Sequence, residues 1–114
     1  MSRDRRRTSE DRRVAERVPA VFAVKKAIGP SVQLCQAENI NESGMSMKRP
    51  RGLFIVPRTE IDISFALPGS AEEISARGVV VHDVVVGSFR RTGIRFIAVR
   101  PEHQQLIAGY CRRF

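Results

Sequence analysis

The 114-residue chain contains no tryptophan, one tyrosine and two cysteines. Each scarcity removes a class of function. With six phenylalanines and a single tyrosine, mostly at positions that read as core, there are few rings on which unstacked bases could lie. No recognition-helix pattern is present either, and both facts argue against a nucleic-acid binder. Cys35 and Cys111 are far apart, with no CxxC and no Cys/His cluster beside them. That spacing supports neither a metal site nor a disulfide framework, and suits two reduced, buried thiols in a cytoplasmic protein. No apolar run approaches 18 residues, so no helical membrane span is expected. The opening MSRDRRRTSEDRR has no hydrophobic stretch after its charges and does not read as a secretory signal. Histidine occurs only at His82 and His103, neither beside a nucleophile or carboxylate in a catalytic arrangement. No glycine-rich loop joins a strand to a helix. An enzyme is not expected, and no catalytic residue is assigned.

Positive charge is plentiful. Twenty Lys and Arg against twelve Asp and Glu leave a net +8, and the excess is uneven. Residues 1–17 hold seven arginines (Arg3, Arg5, Arg6, Arg7, Arg12, Arg13, Arg17), four acids and no lysine. The partner of such a chain is anionic. Arginine's planar fork leans that expectation towards bidentate recognition of phosphate or a guanine edge.

Residues 1–17 lack hydrophobic periodicity and read as a flexible basic arm, with one folded domain over 18–114. Val18, Ala20, Phe22 and Val24 alternate as in a half-buried strand, Gly29-Pro30 punctuates, and Ser31–Ala37 reads as the hairpin partner. Asn39–Gly44 reads as a dense turn, Met45 and Met47 as alternating strand positions, and Arg49–Gly52 as a loop. Ile61–Leu67 is the cleanest strand and Pro68-Gly69 ends it. Ile74–Asp83 follows, with Gly78 breaking phase as a bulge does, then Gly93–Val99. After Pro101 the period turns helical, with His103, Leu106, Ile107 and Tyr110 at i, i+3, i+4 and i+7. Leu53–Val56 reads only as a strand or core plug. Six short strands with hairpin-length connections cannot make a parallel sheet. An antiparallel barrel or sandwich with one C-terminal helix is the expectation.

Two polar clusters stand out. Arg13-Val14-Ala15-Glu16-Arg17, preceded by Arg12, leads into the first strand. In extended chain its two guanidinium groups lie on the order of 13 Å apart, enough to embrace a compact dianion through forked bonds. A solvated basic tail is the competing reading, since Arg3–Arg7 also satisfies RxxxR. The second cluster is Asn39-Ile40-Asn41-Glu42-Ser43-Gly44. Asparagine oxygens can accept from guanine N–H groups, and Gly44 permits close approach. An ordinary Asx turn is the alternative.

An RxxxR entering the first strand, with NxNxxG one hairpin later, resembles the PilZ domain family, whose signature pairs RxxxR with (D/N)xSxxG. Ile63–Gly69, Gly78-Val79-Val80, Gly93–Ile97 and the closing helix agree along nearly the whole folded chain. The resemblance implies a six-stranded antiparallel β-barrel that binds cyclic di-GMP as a ligand, with no cofactor or metal. Carried over, Arg13 and Arg17 clamp guanine and phosphate, while Asn39, Asn41 and Gly44 shape the opposite wall. An arginine just before RxxxR goes with a stacked pair of ligands, so Arg12 implies two nucleotides per chain. Asn41 departs from the family's serine. The functions implied are a cyclic di-GMP receptor relaying to a protein partner in motility or polysaccharide output, or an adaptor that docks on protein without nucleotide.

Overall fold

The computed structural model describes residues 18–52 and 54–113 of the chain. Six strands, β1 (Val18–Ile28), β2 (Ser31–Asn41), β3 (Gly44–Pro50), β4 (Glu60–Phe65), β5 (Ile74–Val86) and β6 (Phe89–Val99), precede one helix, α1 (Pro101–Arg112). Every strand pairing is antiparallel, and the order β1-β2-β3-β6-β5-β4 closes into a barrel. The expected six-stranded barrel with a C-terminal helix is therefore the fold. The segment read as a basic arm, residues 1–17, lies outside the described residues.

Alternation with a period of two puts one side chain in two inside. Ile61, Ile63 and Phe65 of β4 point in, as do Met45 and Met47 of β3, with Val24, Ala37, Ile40, Val80 and Ile94 completing the layer. Phe22 stacks on Phe65 with ring centroids 5.2 Å apart. Gly78 marks a register shift between β5 and β6, as the broken phase predicts, and a second shift follows between Val80 and His82. Gly29 turns β1 into β2 with φ of 59°, a backbone that L side chains resist. Four strands run longer than their sequence patterns. β2 continues through Asn39–Asn41, so only Glu42-Ser43 forms the turn. Arg49 and Pro50 belong to β3 rather than to a loop. β5 runs on past Asp83, and β6 begins at Phe89 rather than Gly93.

Helix α1 starts at Pro101, where the missing N–H costs nothing, and buries His103, Ile107 and Tyr110 against one end of the barrel. Its Gln104 Nε2 donates to the Glu42 carbonyl at 3.2 Å, and the Ser75 N–H donates to His103 Nδ1 at 3.2 Å. The β2–β3 turn is thus held at the helix-capped end. The other end is closed by the segment between β3 and β4 and by buried ions. There Asp83 accepts from Arg49 Nη2 at 2.7 Å, from the Ile55 N–H at 2.8 Å and from Thr92 Oγ1 at 2.6 Å. Arg90 Nη1 adds a contact at 3.2 Å.

Candidate functional site

Asn41 ends β2 and pairs with Gly44 at the start of β3. Its side-chain oxygen accepts from the Ser43 N–H at 2.8 Å, the Gly44 N–H at 2.9 Å and Ser43 Oγ at 2.9 Å. Two converging backbone donors fix which end of the amide is oxygen. The turn is pinned further by Phe96, whose N–H donates to the Ser43 carbonyl at 2.8 Å. Asn41 therefore closes an Asx turn with its oxygen and keeps its NH₂ donors for another acceptor. A serine would have one hydroxyl for both duties.

Gly44 has a separate reason. A Cβ there would run into the Ile94 carbonyl oxygen and lie 3.2 Å from the Arg95 Cα. Both are backbone atoms that cannot swing aside, so β3 and β6 approach this closely only with glycine. The motif's glycine thus acts on strand packing.

Asn39 sits on the outer face, opposite Ser46 on β3 and Pro19 on β1. Successive registers extend this into a row across four strands: Asn39 beside Ser46, Ser46 beside Gly93, Gly93 beside His82. His82 fills the space that a Cβ on Gly93 would take, its Nε2 2.6 Å and Nδ1 2.8 Å from that point. One row towards the helix lie Asn41, Gly44 and Arg95, and one row away lie Gln36, Lys48 and Arg91. The wall is small and polar in the middle and carries cations on both sides.

One of those cations is held in place. Glu38 stands at the β2 register shift between Ala37 and Asn39 and takes Arg91 Nε at 2.7 Å and Nη2 at 3.3 Å. The bond to Arg91 holds the Glu38 carboxyl below the usual carboxylate range, although partial burial pushes the other way. Arg91 and Lys48 both lie over the Phe89 ring, at 5.8 and 4.8 Å from its centroid. Sequence reasoning missed Ser46, Gly93, His82 and the Glu38–Arg91 pair. Their common signal is register, which no local pattern carries.

Of the residues the sequence singled out, Asn39, Asn41 and Gly44 come together along this edge. Arg12, Arg13 and Arg17 lie outside the described residues. The first pairs of β1, Val18 with Ile40 and Pro19 with Asn39, bring the chain in directly beside the NxNxxG strand.

An open groove of about 820 Å³ lies on a different wall and is lined by Lys25, Asp62, Ser64, Arg77 and Arg100 among others. Its arginines are already matched within the chain. Arg77 meets Asp62 at 3.0 Å and Glu60 at 3.6 Å, and Arg100 meets Glu102 at 3.1 Å. The groove has volume without convergent unmatched charge.

Comparison with known proteins agrees with this fold. The PilZ domain family matches residues 11–113. The Bacillus subtilis inhibitor of motility MotI/DgrA superposes with a TM-score of 0.78 at 20% identity, over 85% of this chain and 48% of that one. The K. pneumonia MrkH–c-di-GMP complex gives 0.69 at 16% identity, over 82% and 47%. The PilZ domain of CeSA from a cellulose-synthesizing bacterium gives 0.63 at 18% identity, over 82% and 96%. The chain thus spans about half the length of the first two and nearly all of the third. No curated protein matches it by sequence.

Proposed function

The chain belongs to the PilZ domain family, and from that premise we propose that it is a cyclic di-GMP receptor that relays the second messenger to a protein partner. The observation that carries the reading is the register of β1 against β2. It sets the residue following Arg17 opposite Ile40, between the two asparagines of the turn motif. The reading brings Arg13 and Arg17 to a wall of small and polar side chains flanked by Lys48 and Arg95.

The chemistry assigns each group a task. Arg13 and Arg17 meet guanine O6 and N7 or a phosphate through forked bonds. The free Asn41 NH₂ donates to a ligand oxygen, while its own oxygen keeps the turn closed. Asn39 supplies an amide at the edge of the same wall. Arg12, one residue before the clamp, stacks on or bonds to a second guanine, giving two nucleotides per chain. No step here makes or breaks a covalent bond. Binding orders the basic arm over the ligand and changes the surface shown to a partner.

Isothermal titration of the full chain with cyclic di-GMP tests this. Arg13→Ala and Arg17→Ala are each expected to weaken binding by about 1.5–3 kcal/mol, the range for hydrogen bonds to charged groups. Arg3→Ala, in the other RxxxR, should change little. Equal losses at Arg3 and Arg13 would mean general electrostatics and end the site assignment. Wild type should saturate at two ligands and Arg12→Leu at one. Saturation of wild type at one would remove the role given to Arg12.

One observation favours a second reading. The Asn41 oxygen and Gly44 are both accounted for by the turn and by strand packing, with no ligand needed. An adaptor that docks on protein without nucleotide would keep those residues for folding alone. A folded wild type that shows no heat with cyclic di-GMP would establish that alternative. A titration with duplex DNA across a salt series tests the third possibility, a basic nucleic-acid binder.

A further inference from the structure

Eight large hydrophobic side chains are exposed among the described residues, and two of them, Phe54 and Val56, stand on the short segment before β4. Phe54 is 53% exposed and Val56 61%, while Ile55 between them is buried. The segment is fastened by its backbone. The Ile55 N–H reaches buried Asp83, the Arg58 N–H reaches the Val80 carbonyl at 2.7 Å, and the Val80 N–H reaches the Thr59 carbonyl at 2.9 Å. Arg58 is held at φ of 78°, the only non-glycine residue described in the left-handed region. Arg90 bonds the Gly52 carbonyl at 3.2 Å and Asp83, and lies 5.7 Å from the Phe54 ring centroid. Two apolar side chains are therefore displayed on a rigid, strained support.

We infer that this face, Phe54 and Val56 with Arg51, Arg58 and Arg90 around them, docks a partner protein through a segment carrying acidic and apolar side chains. Charge selects that occupant. No Asp or Glu occurs between Glu42 and Glu60, whereas Arg51 and Arg58 fall in that stretch, and Arg90 beside them is paired with the buried Asp83 at 3.2 Å. A second copy would bring the same arginines against themselves on a chain of net +8, and an isologous contact has no acid to offset them. A membrane surface is bound by an amphipathic helix or by clusters of roughly 4–8 basic residues, which this short irregular segment does not supply. Strain held at a non-glycine residue marks positions where the chain maintains a conformation for use. Rigid display of an aromatic side chain also limits the ordering cost of binding. The inference stands without the nucleotide, so the test is run in nucleotide-free buffer.

The probe is a set of 12-residue peptides measured by fluorescence anisotropy against the full chain. One alternates Glu with Leu and Phe, one replaces Glu by Lys, and one replaces Leu and Phe by Ser. The acidic–apolar peptide should bind at least tenfold more tightly than the other two. Phe54→Ser and Val56→Ser should each weaken it several-fold and the pair at least tenfold, while Leu34→Ser, an exposed apolar residue elsewhere, leaves it unchanged. Arg58→Gly separates recognition from folding. It relieves the left-handed strain and should raise the melting temperature, yet weaken the peptide. Binding unaffected by Phe54→Ser and Val56→Ser together overturns the proposal. So does a dimer in sedimentation that Phe54→Ser abolishes, or binding to phosphatidylglycerol vesicles in preference to the peptide.

Discussion

The two ends of this barrel are built on opposite principles. At the helix-capped end, the polar side chain drawn in is His103, held by the Ser75 N–H, and outside it the Asn41 oxygen closes a turn with neutral bonds. At the far end, ions are drawn into the interior: the Arg49 and Asp83 side chains are 3% and 0% exposed. Lys26, 5% exposed, lies near them, and among the described residues no hydrogen bond or ion pair reaches it. An end that only has to stay shut can rely on buried ions, which specify one arrangement because every alternative leaves a charge unpaired. The candidate ligand wall and the candidate docking face thus lie towards different ends, joined by β5 and β6. His82 and Gly93 face outward one residue away from Asp83 and Thr92, which face inward.

The largest expected effect breaks the far end. Asp83→Ala takes the carboxylate from Arg49, the Ile55 N–H and Thr92 at once, leaving Arg49 its bond to Thr92 Oγ1 at 3.0 Å, and removing one partner of a buried ion pair costs about 3–5 kcal/mol. Urea unfolding should show that loss, and Phe54 and Val56 should lose protection from protease as their support opens. Burial pushes the Asp83 carboxyl up, but the bonds from Thr92, the Ile55 N–H and Arg49 outweigh it and hold the group below its ordinary value. A carboxyl depressed in the folded state contributes stability that is fully present above its unfolded pKa of about 3.9 and is lost as pH falls through the folded value. Wild type should therefore lose stability below about pH 4, while Asp83→Ala lacks that contribution. A variant that melts with wild type would mean that the buried ions contribute nothing to holding this end.

Lys26 sharpens the same comparison from the other side. Burial lowers the pKa of its amine, with Arg49 acting in the same direction against Cys35 and Asp83. A lysine depressed in the folded state makes folding costly at neutral pH, because the unfolded chain binds the proton more tightly. Wild-type stability should rise with pH from the folded pKa up to the unfolded value of about 10.4. Lys26→Met keeps the volume and removes the charge, so it should stabilise the protein at pH 7 by about 1 kcal/mol or more. The gain should shrink as pH rises through that window. Destabilisation at pH 7 would show that Lys26 acts as a partner to Asp83 rather than as a burden.

These two ends also explain what could be read in the chain and what could not. Ile61, Ile63 and Phe65 announce β4 because each neighbour faces solvent, and Pro101 with the 3.6-residue period announces α1. The pattern fails where a strand leaves the barrel. Val84–Val86 have no interior on either side, so alternation disappears although the hairpin continues. Arg49 and Lys26 look like surface residues, and only the closed topology carries them inside to Asp83. Of Leu53–Val56, described apart from Leu53, no residue belongs to a strand, and Ile55 alone enters the core at the end this segment closes. At the candidate site, Asn39, Asn41 and Gly44 were legible because a turn motif is local. Ser46, Gly93 and His82 reach the same wall only through pairings across β3, β5 and β6.

The smallest expected effect lies at Asn41, whose oxygen closes the turn and whose NH₂ is the group proposed for the ligand. Asn41→Ser retains a single oxygen that can close the turn, so it should cost about 0.5–1.5 kcal/mol of stability, the scale of one net hydrogen bond. Its effect on cyclic di-GMP should be no larger. Asn41→Asp separates the two roles. The carboxylate can still accept from the Ser43 and Gly44 N–H groups, with charge strengthening both bonds, so the melting temperature should hold or rise. It has no NH₂ to donate and sets a negative charge against an anionic ligand, so binding should fall at least tenfold, about 1.4 kcal/mol. Paired calorimetry and thermal melts of wild type, Asn41→Ser and Asn41→Asp read both quantities. If Asn41→Asp binds as well as wild type, the amide donors touch no ligand and Asn41 serves the turn alone. If none of the three folded proteins binds, the receptor reading gives way to the adaptor, and Asn41 is explained by the three bonds it accepts.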